Sequence, residues 1–243
     1  MKDFEDIIAV LKSHANPANV AGMARFGISV DKAFGVSLPI IRAMAKKYEN
    51  NHALALQLWQ SGYHEARIMA TMVENPEEVT GAQMDLWVKD FDSWDVCDQC
   101  CSNLFRKTPF ALEKTFEWVS RVEDYVKRAG FVMMACLAVH SKTITDDMFE
   151  MFLPIIVQHA DDPRNFVRKA VNWALRQIGK RNKVLYAKAL ETSDTLANSE
   201  NKTARWIGKD AVKELRGETA INRMLGKDKM LGAYNSKLRV LSS

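Results

Sequence analysis

The chain has 243 residues, of which 47% are hydrophobic and 26% are charged, and its formal net charge is +4. This composition is ordinary for a soluble globular protein. No run of about 18 apolar residues occurs, and residues 1–6 lack the features of a signal peptide, so we expect a cytoplasmic protein without a membrane span.

The small net charge conceals a strong asymmetry along the chain. Residues 1–162 carry 16 basic and 23 acidic side chains, a net charge of −7, whereas residues 163–243 carry 18 basic and 7 acidic side chains, a net charge of +11. A basic C-terminal third favours an anionic partner such as nucleic acid. A solvated basic surface is the alternative.

Apolar residues recur at helical spacing along most of the chain. Phe4, Ile7 and Leu11 form the first apolar stripe, and Ser37 is placed to cap a helix that starts at residue 38. No Asn-Gly or Asp-Gly hairpin signal occurs, so we predict an all-α protein. The predicted helices cover residues 4–16, 18–26, 38–48, 54–59, 64–73, 80–88, 94–104, 109–119, 125–140, 145–159, 166–180 and 202–215.

Five of these helices form a weak internal repeat. Arg67 and Asp98 lie 31 residues apart, Asp98 and Arg128 lie 30 apart, and Arg128 and Lys169 lie 41 apart. Such irregular periods of roughly 30–45 residues, with a partner helix between successive members, predict a HEAT-like repeat solenoid of stacked antiparallel helix pairs with a long concave surface. The basic C-terminal third makes this surface a candidate DNA-binding face. We predict one solenoid domain over residues 1–226 and a basic C-terminal tail over residues 227–243.

Cys97 and Cys100 form a C-x-x-C motif that could bind zinc or act in redox chemistry. No second such motif and no His pair completes a tetrahedral set. Three of the four cysteines lie in one predicted helix, where small side chains allow close packing. We therefore expect neither a metal nor a cofactor.

Trp94 and Asp98 are four positions apart on a predicted helix, so they share one face. Without other evidence this pair is a half-buried aromatic beside a solvated acid. Arg128 lies off the inward stripe of the helix over residues 125–140, where it could pair with Asp124 on a wet surface. Gly130 in the same helix indicates the close approach of another backbone or of a ligand.

A second stripe is both basic and aromatic. Residues 163–190 contain eight basic side chains and no acid. The cations could neutralise phosphates and Trp173 could pack on a sugar or a base, although a neighbouring repeat could also cover this ring. The stripe consists of Lys169, Trp173, Arg176 and Lys180.

Three segments resemble the AlkD-type DNA alkylation repair glycosylases in order, spacing and local sequence. They are residues 94–98 (WDVCD), 126–129 (VKRA) and 166–176 (FVRKAVNWALR). Residues 23–26 (MARF) are also similar to the opening helices of that family, so we assign Arg25 and Phe26 to the DNA-binding surface. The resemblance extends over about residues 4–215.

The resemblance implies a role for each matching residue. Asp98 would be the catalytic carboxylate, Trp94 and Trp173 would hold the deoxyribose of the lesion, and Arg128 would bind the DNA backbone. The implied substrates are N3- and N7-alkylated purines, excised without entry of the base into a protein pocket. Phe26 stands where the family can have Tyr, so the hydrogen bond of that hydroxyl is lost.

The chemistry is consistent with these residues. An alkylated purine already carries a positive charge and leaves without protonation, while an ionised Asp98 would stabilise the oxocarbenium-like sugar. We therefore expect a monomeric, monofunctional glycosylase that acts on duplex DNA containing alkylated bases. A DNA-binding solenoid without enzymatic activity and a protein-interaction scaffold are the alternatives.

Overall fold

The computed structural model describes residues 2–222, and within this range the chain is all-helical with no β-strand. The predicted all-α class is therefore confirmed. The chain divides into two compact units, Met1–Gly130 and a second that begins at Phe131. The predicted domain end at 226 and the predicted tail lie outside the described residues, so the single-domain assignment stays a prediction.

The first unit contains eight complete helices and a 3₁₀ turn, Phe105–Lys107, between the last two. The helices are α1 (Lys2–Ser13), α2 (Pro17–Arg25), α3 (Leu38–Ala45), α4 (His52–Gln60), α5 (His64–Val73), α6 (Gly81–Lys89), α7 (Trp94–Asn103) and α8 (Ala111–Val119). The division between the units falls inside α9 (Asp124–His140). The second unit continues with α10 (Asp146–Gln158), α11 (Asn165–Gly179), α12 (Lys183–Ala197) and α13 (Lys202–Leu215).

Each predicted helix is present, but α12 was not predicted. The basic stretch 163–190 is therefore not one continuous stripe, because it breaks after α11 and restarts at α12. The side chain of Asn182 caps α12 by accepting a hydrogen bond from the Leu185 N–H. Arg181, at the break, turns inward and donates to the carbonyls of Ala138 and Ser141.

A buried carboxylate organises the loop between α2 and α3. Glu65 on α5 is 1% exposed and accepts hydrogen bonds from the backbone N–H groups of Phe34, Gly35 and Val36 at 2.6 to 3.2 Å. Gly35 adopts a φ of 77°, which a residue with a side chain rarely tolerates. The loop is thus fixed to α5 by charge-assisted hydrogen bonds.

Polar contacts recur at a nearly constant sequence separation in each unit. In the first unit the separations are 30 or 31 residues, for the pairs Trp59–Asp90, His64–Asp95 and Asp98–Arg128. In the second unit the separation is 38 residues, for the pairs Asn172–Asp210 and Arg176–Glu214. These regular separations are the structural form of the repeat in the sequence.

Gly130 marks the close approach of a backbone, as the sequence indicated. A Cβ atom at this position would lie 2.7 Å from both the backbone nitrogen and the Cγ1 atom of Val119. The glycine therefore lets α9 approach the end of α8 more closely than any larger residue would permit.

Two glycine substitutions should change stability in opposite directions. Gly130→Ala should lower the free energy of unfolding by about 1–3 kcal/mol, because the added methyl group overlaps the Val119 backbone. Gly22→Ala in α2 should raise it by about 0.5–1 kcal/mol, because nothing lies within 4 Å of the added Cβ and alanine favours the helix. Urea unfolding of both variants tests this, and a stabilised Gly130→Ala protein would contradict the close approach.

Candidate functional site

The start of α7 is fixed by the loop that follows α2. Ser93, the N-cap residue of α7, accepts a hydrogen bond from the Ser29 N–H at 2.9 Å through its hydroxyl. The Trp94 indole Nε1 donates to the carbonyl of Phe26 at 3.1 Å. The Phe26 side chain itself is 71% exposed. Phe26 therefore positions Trp94 through its backbone, a contact that needs no side-chain hydroxyl.

Asp98 and Arg128 form a bidentate ion pair between α7 and α9. Arg128 Nε donates to Asp98 Oδ1 at 3.0 Å, and Arg128 Nη2 donates to Asp98 Oδ2 at 2.8 Å. The side chains of Arg128 and Asp98 are only 7% and 16% exposed. The alternative of Arg128 on a wet surface is therefore wrong. In this structure the Arg128 guanidinium binds Asp98. The role of Arg128 as a ligand of the DNA backbone stays a prediction.

The environment of Asp98 balances two opposing effects. Burial raises the pKa of the Asp98 carboxyl above its ordinary value, and the charge and hydrogen bonds of the Arg128 guanidinium oppose that rise. Both carboxyl oxygens accept N–H groups of an arginine that is always charged, which is the geometry of a carboxylate rather than a carboxylic acid. The pairing with Arg128 thus favours the ionised form of Asp98 against the effect of burial.

This carboxylate retains the capacity to bind a further group. Two carboxylate oxygens offer about four lone-pair sites, and the two hydrogen bonds from Arg128 occupy only part of them. Trp94 lies one helical turn before Asp98 and is half-buried. An aromatic surface and an ionised carboxylate therefore occur on the same face of α7, where they could bind a cation.

A second carboxylate on α7 has a different partner. Asp95 accepts a hydrogen bond from His64 Nε2 at 2.9 Å. Burial lowers the pKa of His64, but the hydrogen bond and charge of Asp95 outweigh this effect, so the pKa is raised. His64 also lines a cavity of about 270 Å³ together with Lys32 and Arg67.

The predicted residues of α11 lie in the second unit. Trp173 is half-buried, and its Nε1 donates at 3.0 Å to the side-chain oxygen of Gln177 when that amide is oriented toward it. Arg176 and Lys180 both bind the carboxylate of Glu214 on α13. Burial opposes ionisation of Glu214, but these two cations outweigh it and lower its pKa.

The structure thus places the predicted residues in separate groups. Trp94, Asp98 and Arg128 come together in the first unit, with the Phe26 carbonyl beside them. Arg25 at the end of α2 and Lys169 on α11 are exposed. The convergence of Trp173 with Trp94 and Asp98, which the resemblance implies, stays a prediction.

Sequence reasoning missed several partners of these residues. His64 contacts Asp95, which neighbours the proposed site. Gln177 and Glu214 contact two of its predicted members, Trp173 and Arg176 respectively. The separations of 31 residues for His64–Asp95 and 38 for Arg176–Glu214 match the repeat, and this match was the available signal. Pairing oppositely charged residues one repeat apart would have found both ion pairs.

Two further observations concern residues 2–222. None of the helices there is long and apolar enough to cross a membrane. No group of three or more His, Cys, Asp or Glu side chains in this range could hold a metal ion.

The His64–Asp95 pair should make stability depend on pH in a defined direction. The pKa of His64 is raised on folding, so its stabilising contribution is complete below the unfolded value of about 6.5 and is lost as pH rises through the folded value. The excess stability of the native protein over His64→Gln should therefore shrink between pH 6 and pH 9. Urea unfolding of both proteins at pH 6 and at pH 9 measures this difference in stability. A difference that grows with pH would contradict the pairing.

Comparison with known proteins agrees with this architecture. A family model described as DNA alkylation repair enzyme matches residues 7–215. A solved structure, from a new family of proteins related to the HEAT-like repeat DNA glycosylases with affinity for branched DNA structures, superposes with a TM-score of 0.72 at 17% identity. The match covers 86% of this chain and 94% of that one, and it confirms the HEAT-like fold. No curated protein matches the chain significantly. The chain belongs to the DNA alkylation repair enzyme family.

Proposed function

We propose that this protein is a monofunctional DNA glycosylase that hydrolyses the N-glycosidic bond of cationic N3- and N7-alkylated purines in duplex DNA. The observation that carries the proposal is the largely buried carboxylate of Asp98, bound by Nε and Nη2 of Arg128 and one turn from Trp94. Membership of the DNA alkylation repair enzyme family supports the substrate class.

The reaction makes a specific electrostatic demand on the protein. The alkylated purine is already cationic, so it departs as a neutral base without a general acid, and positive charge develops on the sugar as the bond stretches. A preorganised carboxylate stabilises this charge and orients the attacking water. Arg128 fixes the direction of the carboxylate, so Asp98 need not reorganise during the reaction. No metal or cofactor is needed for this chemistry.

The aromatic and basic residues supply binding in this proposal. Trp94 packs against the deoxyribose of the lesion through its ring face, which also favours the cationic sugar. Trp173 on α11 packs on a deoxyribose of the bound DNA, and Lys169 contacts phosphate. Arg25 binds the backbone from the end of α2. One copy of the chain contains all of these groups, so we propose that it acts as a monomer.

The decisive experiment is release of free base from methylated duplex DNA under single-turnover conditions. The native protein should release N7-methylguanine or N3-methyladenine above the spontaneous rate. Asp98→Asn should lower that excess by about 100-fold or more, because removal of one preorganised electrostatic group costs on this order. Chromatography of the supernatant measures both rates.

Asp95→Asn is the matched control, because it makes the same change on the same helix at a carboxylate that is bound by His64 instead of Arg128. It should retain most of the activity. Circular dichroism must show that Asp98→Asn is folded at the assay temperature, since loss of one partner of a buried ion pair can cost about 3–5 kcal/mol. Equal release by a folded Asp98→Asn protein would refute the catalytic role.

A second candidate function is binding of branched DNA without base excision. The structural likeness favours it, because the similar structure comes from a family with affinity for such DNA. Preference for a four-way junction over a linear duplex of equal length, together with no release of base by the native protein, would establish this function in place of the glycosylase.

A further inference from the structure

Helix α13 repeats the basic and aromatic pattern of α11 at identical spacing. In each helix a lysine is followed by a tryptophan after four positions, a cation after three more and a lysine after another four. The α11 pattern is Lys169, Trp173, Arg176 and Lys180, and the α13 pattern is Lys202, Trp206, Lys209 and Lys213. We call the second set the α13 stripe.

The α13 stripe lies on the side of its helix that faces away from the core. Successive residues turn by about 100°, so the four side chains fall within a sector of roughly 60°. The buried residues of α13 occupy the opposite side and are Ala204, Ile207, Gly208, Ala211 and Leu215. The three lysines are exposed, and Trp206 is 37% exposed although it is a large apolar residue. Core packing therefore does not explain the stripe.

A ladder of contacts aligns α13 with α11 and orients the Trp206 ring. The Arg168 guanidinium lies 5.0 Å from the ring centroid of Trp206, and Asn172 donates to Asp210 at 2.6 Å. Together with Arg176–Glu214 these contacts all join residues 38 positions apart, so the two helices run side by side in the same direction. One face of the Trp206 ring is covered by a cation, and the ring retains an exposed part.

The contacts with α11 engage the acidic residues of α13 but not the lysines of its stripe. Its two acidic residues, Asp210 and Glu214, bind partners on α11. Lys202, Lys209 and Lys213 make no ion pair with any residue in the described part of the chain. The stripe therefore presents three uncompensated positive charges over about 16 Å of helix, since each residue adds 1.5 Å.

We propose that the α13 stripe is a second track for the DNA backbone, parallel to that of α11, in which the lysines bind phosphates and Trp206 packs on a sugar. The inference rests on DNA as the partner, as in the proposed function, but not on base excision. Uncompensated lysines interleaved with an oriented aromatic ring have the chemistry that a nucleic-acid backbone requires. The track extends the contact beyond the lesion and does not read sequence.

The test is the salt dependence of binding to an undamaged linear duplex, measured by fluorescence anisotropy. Binding to phosphates releases counterions, so log K falls as log salt rises. Each lost contact lowers the magnitude of this negative slope by about 0.9. The triple variant Lys202→Ala, Lys209→Ala, Lys213→Ala should therefore lower the slope by between about 2 and 3. Trp206→Leu should weaken binding roughly tenfold with little change in slope.

The matched control is a triple variant of exposed lysines in the first unit, Lys12→Ala, Lys46→Ala, Lys47→Ala, which removes the same net charge. It should leave the slope nearly unchanged. Equal slopes for the two triple variants, whether both lowered or both unchanged, would overturn the proposal. Because the assay measures binding to undamaged DNA, it can succeed where base release fails, so failure of the glycosylase proposal is distinguishable from failure of this one.

Discussion

The ion pair between Asp98 and Arg128 is the interaction on which the proposed chemistry depends. A carboxylate that stabilises a cationic transition state must be charged, and it must be shielded from water that would weaken its field. Burial alone would favour the neutral acid, and it does raise the pKa of Asp98. Arg128 resolves this conflict, because its bidentate hydrogen bonds favour the ionised form in the buried site.

Such a pair is a weak source of stability, since removing two charges from water offsets much of their attraction. Hydrophobic residues of similar size would hold α7 against α9 at least as well. In the same interface between α7 and α9, the Cys97 and Cys101 side chains are fully buried, and their thiols donate weak hydrogen bonds at 3.9 Å to the carbonyls of Tyr125 and Ala129. The contrast between these uncharged contacts and the adjacent ion pair supports a functional reason for the charges.

Much of the fold could be predicted because apolar spacing on amphipathic helices is local information. Helices such as α5 and α13 have the predicted bounds, and Gly130 marks a close backbone approach as its sequence position indicated. Helix α12 was not predicted, although Asn182 stands at its start and its side chain accepts a hydrogen bond from the Leu185 N–H. Trp173 is not among the buried residues of α11 and is half-buried, and its role in binding stays a prediction.

The partners of the site residues could not be predicted in the same way. Arg128 has Asp124 four positions away, so local rules favour a surface pair, yet its guanidinium binds Asp98 from an earlier repeat. Likewise, Arg176 and Lys180 share Glu214, which lies on a different helix. Local sequence shows which residues are charged, and tertiary packing decides which charges meet.

The most direct measurement is the protonation state of Asp98, followed by the carbon NMR signal of its carboxyl group as pH is varied. Assignment comes from loss of the signal in Asp98→Asn. In the native protein the carboxyl should be ionised at pH 7, and in Arg128→Met its pKa should move upward because burial is no longer opposed. An Asp98 carboxyl that is protonated at pH 7 in the native protein would contradict the central claim, since a neutral acid cannot stabilise a developing sugar cation.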